Sequence, residues 1–254
     1  QMCIRDRITP DRLQVRRVIE VSDETMLVAA SHDPTEVKLV HVDWDGTVHT
    51  WSPAQEIYGA VVGGSTMVRS VRSMNPMERH STVLSNNEPI GHLVDHSEQP
   101  EGELNVTFHR CGERKLTTAL VLPAAHDGVM PLPVLMDPYG GPHAQRVQRS
   151  AGLFYASQWF ADQGFAVIVT DGRGTPGRGP ALEREVRGDL AAPVLEDQVD
   201  ALHAMAAEHP FLDLSRVAIK GWSFGGYLSA LAVLRRPDVF HAAIAAWKLS
   251  LIHI

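Results

Sequence analysis

From residue 104 onward, apolar runs of strand length alternate with stretches of helical period, and this alternation limits the possible folds more than any other feature of the sequence. The strand-like runs are LNVTFHR (104–110), LTTALVLP (116–123), PVLMDPYGG (133–141), FAVIVTD (165–171), RVAIKG (216–221) and HAAIAA (241–246). Helices are expected at about 150–163, after Pro193 with Leu195, Val199, Leu202 and Met205 on one stripe, and again after Ser223. Runs that are apolar on both sides, separated by helices, predict a mostly parallel sheet covered on both faces, led in here by antiparallel strands.

The first hundred residues obey a different pattern. MLVAAS (26–31), EVKLVHV (36–42) and TVHTW (47–51) are separated by His32-Asp33-Pro34 and by Asp45-Gly46, a hairpin signal. A second round follows in YGAVVGGSTMVRSVRS (58–73), HSTVLS (80–85) and IGHLVDH (90–96). Regular short strands without helices suit the last blades of a β-propeller, since two rounds are too few to close one. The polar SEQPEGE (97–103) then suits a domain boundary. Residues 1–99 are expected to form a propeller-like all-β part, and residues 100–254 the N-terminal part of an α/β domain. Residues 1–7 and 247–254 resemble translated linker DNA, so the natural chain is expected to continue in both directions.

Composition removes several classes of function. With 254 residues, 44% hydrophobic and 21% charged, the chain is long enough for more than one core. The net charge of −7 comes from scattered acids and bases, so no basic stripe marks a nucleic-acid groove, and no nucleic-acid partner is expected. Two cysteines, Cys3 and Cys111, make neither a disulfide framework nor a zinc spacing, which leans slightly toward a cytoplasmic chain. No apolar run reaches the roughly 18 residues of a membrane span. The thirteen histidines include no H-x-x-x-H pair on an expected helix and no other recognised ligand cluster, so no metal is expected. Gly172-Arg173-Gly174-Thr175-Pro176-Gly177 fits a dinucleotide fingerprint, but Pro176 and Gly179-Pro180 break the helix it needs, and no cofactor is expected. Glu196 and Asp197 are expected to favour the positive end of their helix. Asn105-Val106-Thr107 is a glycosylation sequon.

Gly221-Trp222-Ser223-Phe224-Gly225 fits the G-x-S-x-G nucleophile elbow, with a strand entering and a helix leaving. Such a turn lifts a serine Oγ above the sheet, and glycines two residues to either side remove collisions with the adjoining backbone. Acyl transfer also needs donors aimed at the developing oxyanion. The N–H of Phe224 is one candidate; the other is a backbone N–H of Gly140-Gly141 or the phenol of Tyr139. Strand and helix alternating around this elbow is the pattern of an α/β-hydrolase, here a partial one.

ASHDPTE, LMDPYGGPHAQRV, VIVTDGRGTPGRG, LEDQVDAL and GWSFGGY, in that order, resemble the S9 serine peptidases of the prolyl oligopeptidase superfamily, in particular the dipeptidyl-peptidase IV-like branch. The resemblance implies a peptide substrate, an acyl-enzyme on Ser223, an oxyanion-hole hydroxyl from Tyr139, and an N–H and part of the S1 wall from Phe224. It also allows a homodimer of a longer parent. An acylaminoacyl-peptidase, an oligopeptidase, an esterase and a non-catalytic hydrolase-like binding protein remain as alternatives. Downstream of Ser223 stand only Asp238, His241 and His253 as partners. A helix after Ser223 would carry the chain roughly 20 Å away before Asp238. The catalytic acid and histidine are therefore expected outside this sequence, and the chain alone is expected to be nearly inert.

Overall fold

The structure, a computed structural model, describes residues 7–50, 52, 55–98 and 100–246. Cys3, Trp51, His253 and both suspect ends apart from Arg7 lie outside the described residues. The chain divides into two compact units, Gln1–Gln99 with Gln148–Ala151, and Pro100–Val147 with Gly152–Ile254.

The first unit holds two four-stranded antiparallel meanders of propeller-blade type. β1 (Gln14–Val21), β2 (Thr25–Ser31), β3 (Lys38–Asp43) and β4 (Val48–Thr50) pair in chain order, as do β5 (Ile57–Gly63), β6 (Thr66–Arg72), β7 (His80–Ser85) and β8 (Glu88–Leu93). Gly46 at φ +90° makes the turn between β3 and β4, where the Asp43 N–H donates to Thr47 O at 2.9 Å. The run at 58–73 is two strands: Gly64, at φ +61°, turns the chain between β5 and β6. One apolar cluster joins Leu27 and Leu39 of the first sheet to Tyr58, Ala60, Met67, Val71 and Leu84 of the second, so each sheet buries one face against the other. The segment Gln148–Ala151 belongs to this unit, with the Arg149 N–H donating to Thr35 O at 2.7 Å and the Ala151 N–H to Ser73 O at 2.9 Å.

The second unit is built on a six-stranded sheet. Its strands are β9 (Val106–Cys111), β10 (Leu116–Val121), β11 (Leu132–Met136), β12 (Ala166–Asp171), β13 (Leu212–Trp222) and β14 (Ala242–Ala246), in the spatial order β14-β13-β11-β12-β10-β9. The four from β14 to β12 are parallel; β10 pairs antiparallel with β12 and with the edge strand β9. Every residue of β10 and of β12 is buried, which explains why these strands read as continuous apolar runs rather than alternating ones. The order is that of an α/β-hydrolase, with crossovers through α1 (Tyr155–Asp162), α3 (Ala192–Glu208) and α4 (Phe224–Arg235).

Local chemistry sets the helix limits. α3 starts at Ala192 with Pro193 in its first turn, where a missing N–H costs nothing, and buries Val194, Leu195, Val199, Leu202 and Met205. α1 begins later than the periodicity predicts, because Ala151–Leu153 form a 3₁₀ turn ahead of it. Pro180 opens a short helix, α2 (Pro180–Arg184), instead of only breaking one, for the same N-terminal reason. Among the described residues no helix is long and apolar enough to cross a membrane.

Met136, Ile168, Ile219, Leu202, Met205 and Leu228 are fully buried in the main core of this unit. Replacing Ile168 in the central strand β12 by Ala should cost about 2–5 kcal/mol, through lost burial and a residual cavity. Urea unfolding followed by a probe in this unit should show a lower midpoint with an unchanged slope.

Candidate active site

β13 carries the chain into the turn and α4 carries it out. Between them Ser223 adopts φ +56° and ψ −115°, a conformation that L residues rarely occupy and that is held only where the surroundings over-determine it. Those surroundings are backbone. A Cβ on Gly221 would fall onto the carbonyl group of Gly225, and one on Gly225 would lie 2.5 Å from Pro138 O. Gly226, which the motif does not single out, has the same role toward Ala246 O at the end of β14. The Ser223 N–H donates to that same Ala246 oxygen at 3.1 Å, and the Tyr227 N–H closes the first helical turn on Ser223 O at 3.1 Å. Ser223 stands at the N-cap of α4 with no side-chain cap hydrogen bond, so Oγ is not committed to the helix's own N–H groups. It is partly exposed at the carboxyl-terminal rim of the parallel strands.

The loop after β11 arrives at the same rim. The ring of Tyr139 lies 6.2 Å from that of Phe224 between centroids, tilted by 42°, and Phe224 meets Tyr227 edge-on at 5.5 Å. Gly141 sits between the first two rings: a Cβ there would lie 2.8 Å from the Phe224 ring and 2.9 Å from that of Tyr139. Gly140, at φ +70°, fits between Leu228 and Val194. The Phe224 ring is only 6% exposed, whereas the neighbouring Trp222 is 62% exposed. The fold thus brings Gly221, Ser223, Phe224, Gly225 and Tyr139 together.

A buried carboxylate holds this loop to the elbow strand. Asp137, 2% exposed at the end of β11, accepts from Arg146 at 3.0 Å and Ser157 Oγ at 2.9 Å, and pairs with Lys220 Nζ at 3.0 Å. Lys220 lies one residue before Gly221 and also sits 4.7 Å over the Phe160 ring. The far side of the loop is fixed by Asp171, which accepts from the N–H groups of Arg146 (3.1 Å) and Val147 (2.7 Å). Tyr139 therefore stands on a segment anchored through charge-assisted hydrogen bonds on both sides. Sequence reasoning missed Asp137, Arg146 and Lys220 as a group. The only local signal was an acid at a strand end and a lysine inside an otherwise apolar strand.

Glu196 and Asp197 have a different role from the expected one. They lie beyond the first turn of α3 and grip the glycine loop: Arg173 donates Nε–H to Asp197 at 2.9 Å, and Nη2 reaches Glu196 at 2.9 Å and Pro193 O at 2.8 Å. The Arg173 N–H donates to Asp197 at 2.6 Å, and a Cβ on Gly172 would lie 2.6 Å from the same carboxylate. The G-x-G-x-x-G resemblance thus arises from a loop packed tightly on a buried aspartate. In the sequon, Asn105 Nδ2 donates to Pro123 O at 3.1 Å.

The acids and bases downstream of Ser223 sit elsewhere. Asp238 pairs with Arg236 at 2.7 Å, and this partner holds its carboxyl below the usual range. His241 Nδ1 accepts from the Val217 N–H at 3.1 Å. Val217 lies six residues before Ser223 along β13, about 20 Å at a strand's rise. His143 and His203 are both exposed. Cys111 is a buried free thiol whose pKa burial pushes up.

Comparison with known proteins follows the geometry. Residues 152–248 match the prolyl oligopeptidase family model, Peptidase_S9. Dipeptidyl peptidase 8 of Homo sapiens is 38% identical over 121 residues, 47% of this chain and 14% of the relative. Prolyl endopeptidase FAP of Homo sapiens is 28% identical over 201 residues, 79% of this chain and 26% of the relative. The chain therefore spans about a quarter or less of the length of these relatives. In fold it is similar to dipeptidyl peptidase 4 of Porphyromonas gingivalis, with a TM-score of 0.84 and 23% identity over 96% of this chain and 36% of that one. A putative dipeptidyl aminopeptidase IV from Bacteroides ovatus gives 0.80 and 21% over 95% and 36%. Residues 152–248 thus match the prolyl oligopeptidase family model, and the chain is similar in sequence to dipeptidyl peptidase 8 and FAP and in fold to dipeptidyl peptidase 4.

Proposed function

We infer that this chain supplies the nucleophile and oxyanion site of a serine peptidase that removes dipeptides from the N-termini of short peptides. The observation that carries the reading is Ser223 at φ +56° on the strand-to-helix turn, with the Phe224 N–H beside it and the Tyr139 ring across the same rim. In the proposed reaction Ser223 Oγ attacks the scissile carbonyl carbon and gives its proton to a general base. The C=O π electrons move onto the oxygen, which takes hydrogen bonds from the Phe224 N–H and the Tyr139 hydroxyl. Collapse expels the amine, protonated by the same base, and leaves an ester on Ser223. Water then attacks that ester and restores the serine.

The dipole of α4 adds to the Phe224 N–H, because the first N–H groups of a helix carry partial positive charge. The Phe224 ring, fixed against Tyr139 and Tyr227, would offer one wall of the pocket for the residue before the scissile bond. The histidine base and its acid are proposed to come from chain outside this sequence, since Asp238 pairs with Arg236 beyond α4 and His241 accepts from Val217, about 20 Å along β13 from Ser223.

The test is made on the longer parent with chromogenic Gly-Pro and N-acetyl-Ala substrates; cleavage of the first and not the second is expected, and the reverse would replace the dipeptidyl reading with an acylaminoacyl one. Ser223→Ala should lower kcat by about six orders of magnitude. Tyr139→Phe should lower kcat about 10²–10³-fold with little change in KM, and unchanged turnover would remove the phenol from the oxyanion site. Gly225→Ala should cost about 1–3 kcal/mol of stability, because the added methyl presses on Pro138 O, and should lower kcat along with it. In the 254-residue chain by itself, labelling by a fluorophosphonate probe should be very slow; rapid labelling would show that a base already lies within reach of Ser223.

A further inference from the structure

At the far end of α3 from the Arg173 loop, the fold gathers three metal-ligating side chains that the sequence keeps 99 residues apart. His109 lies on the edge strand β9, Glu208 is the last residue of α3, and His209 is its C-cap. One donor atom from each lies within 4.8 Å of the others. We propose that His109, Glu208 and His209 bind a divalent transition-metal ion of the Zn²⁺ type and so tie the sheet's edge strand to the end of α3.

Each imidazole is already held in place. Thr107, two residues earlier on β9, engages His109 Nε2 at 2.7 Å, which leaves Nδ1 directed at Glu208, 3.9 Å away. A cation on Nδ1 would make Nε2 the donor to Thr107, the outer hydrogen bond that orients histidine ligands. His209 lies between His109, whose ring meets it edge-on at 5.3 Å, and Phe211 at 5.4 Å. Its Nε2 is buried and has no hydrogen-bond partner among the described residues. A buried imidazole nitrogen with nothing to bond is costly, and a cation would satisfy it. Pro210 follows at once, ends the helix and fixes the backbone of the C-cap.

The donor set selects the class of ion. Two imidazoles and one carboxylate suit Zn²⁺ and its neighbours, and are too soft for Mg²⁺ or Ca²⁺, which favour all-oxygen sites. Tetrahedral ligands at 2.0–2.1 Å stand about 3.3 Å apart, so separations of up to 4.8 Å must contract by about 1.5 Å at most. The exposed Glu208 side chain is free to supply most of that movement. The site is structural: Pro193 at the rim and Glu208 lie about 22 Å apart along α3. It is independent of the proposed peptidase reaction.

The experiment uses the 254-residue chain, stripped with a chelator that is then removed, and titrated with ZnCl₂ against a chromogenic zinc indicator. One ion per chain is expected, with a thermal midpoint that rises on zinc addition. His109→Ala and His209→Ala should each weaken uptake at least about tenfold. Glu208→Gln, at an exposed position, leaves the packing intact and should weaken uptake even if a histidine variant fails to fold. Co²⁺ in place of Zn²⁺ should give visible absorption in the chain that the variants lose. No saturable uptake, or uptake unchanged in Glu208→Gln and in every folded histidine variant, would overturn the proposal, the latter by assigning the ion to others of the thirteen histidines.

Discussion

Gly221 admits no side chain, because a Cβ there would fall onto the carbonyl group of Gly225 four residues later. The end of β13 and the start of α4 are in backbone contact, and Ser223 between them is forced to positive φ. Such a conformation costs of order 1–3 kcal/mol, which local propensity does not supply. It is offset by what the contact allows: Gly225 lies against Pro138 O, and Gly226 against Ala246 O. Three neighbouring segments, the ends of β11, β13 and β14, therefore meet at one point with nothing but backbone between them. The rim's geometry follows from this, since a side chain at any of the three glycines would push one segment away.

Close backbone packing leaves little room for the side chains that normally hold a loop, and a buried ionic network does that work instead. Asp137 accepts from or pairs with groups on the loop (Arg146), on α1 (Ser157) and on β13 (Lys220). A carboxylate taken out of water is tolerated only with partners of this quality, and removing one cation would leave a buried charge partly uncompensated. The network serves to place Tyr139 rather than to add net stability. Its position one residue before the elbow glycine couples the loop to the strand that presents Ser223.

The sheet was legible in the sequence because its central strands β11 and β12 and the adjoining β10 are buried on both faces and so appear as largely apolar runs. The elbow was legible because its constraint is local, a glycine two residues to each side of one serine. β1 was not. Val15, Val18 and Val21 are all more exposed than buried strand residues, and two register shifts break its alternation, so QVRRVIEV shows no clean period. Glu196 and Asp197 were misjudged because their partner, Arg173, lies more than twenty residues back, and proximity to a helix start was the only cue available. The same holds more strongly for His109 and His209, which only the crossover from β9 through the sheet to α3 brings together.

α3 connects these observations. Its interior carries Asp197 and Gln198, both fully buried, on a helix whose other inward residues are apolar. A buried charge on a core helix would be a fault if it were unpartnered; here it captures Arg173 and stiffens the loop after β12 near the rim. At the opposite end the helix stops at His209, whose ring meets Phe211 and His109 of the edge strand. The helix is therefore held at both ends by polar or aromatic groups and along its length by Val194, Leu195, Val199, Leu202 and Met205. Val194 also packs beside Gly140, so the position of α3 bears directly on the loop that carries Tyr139.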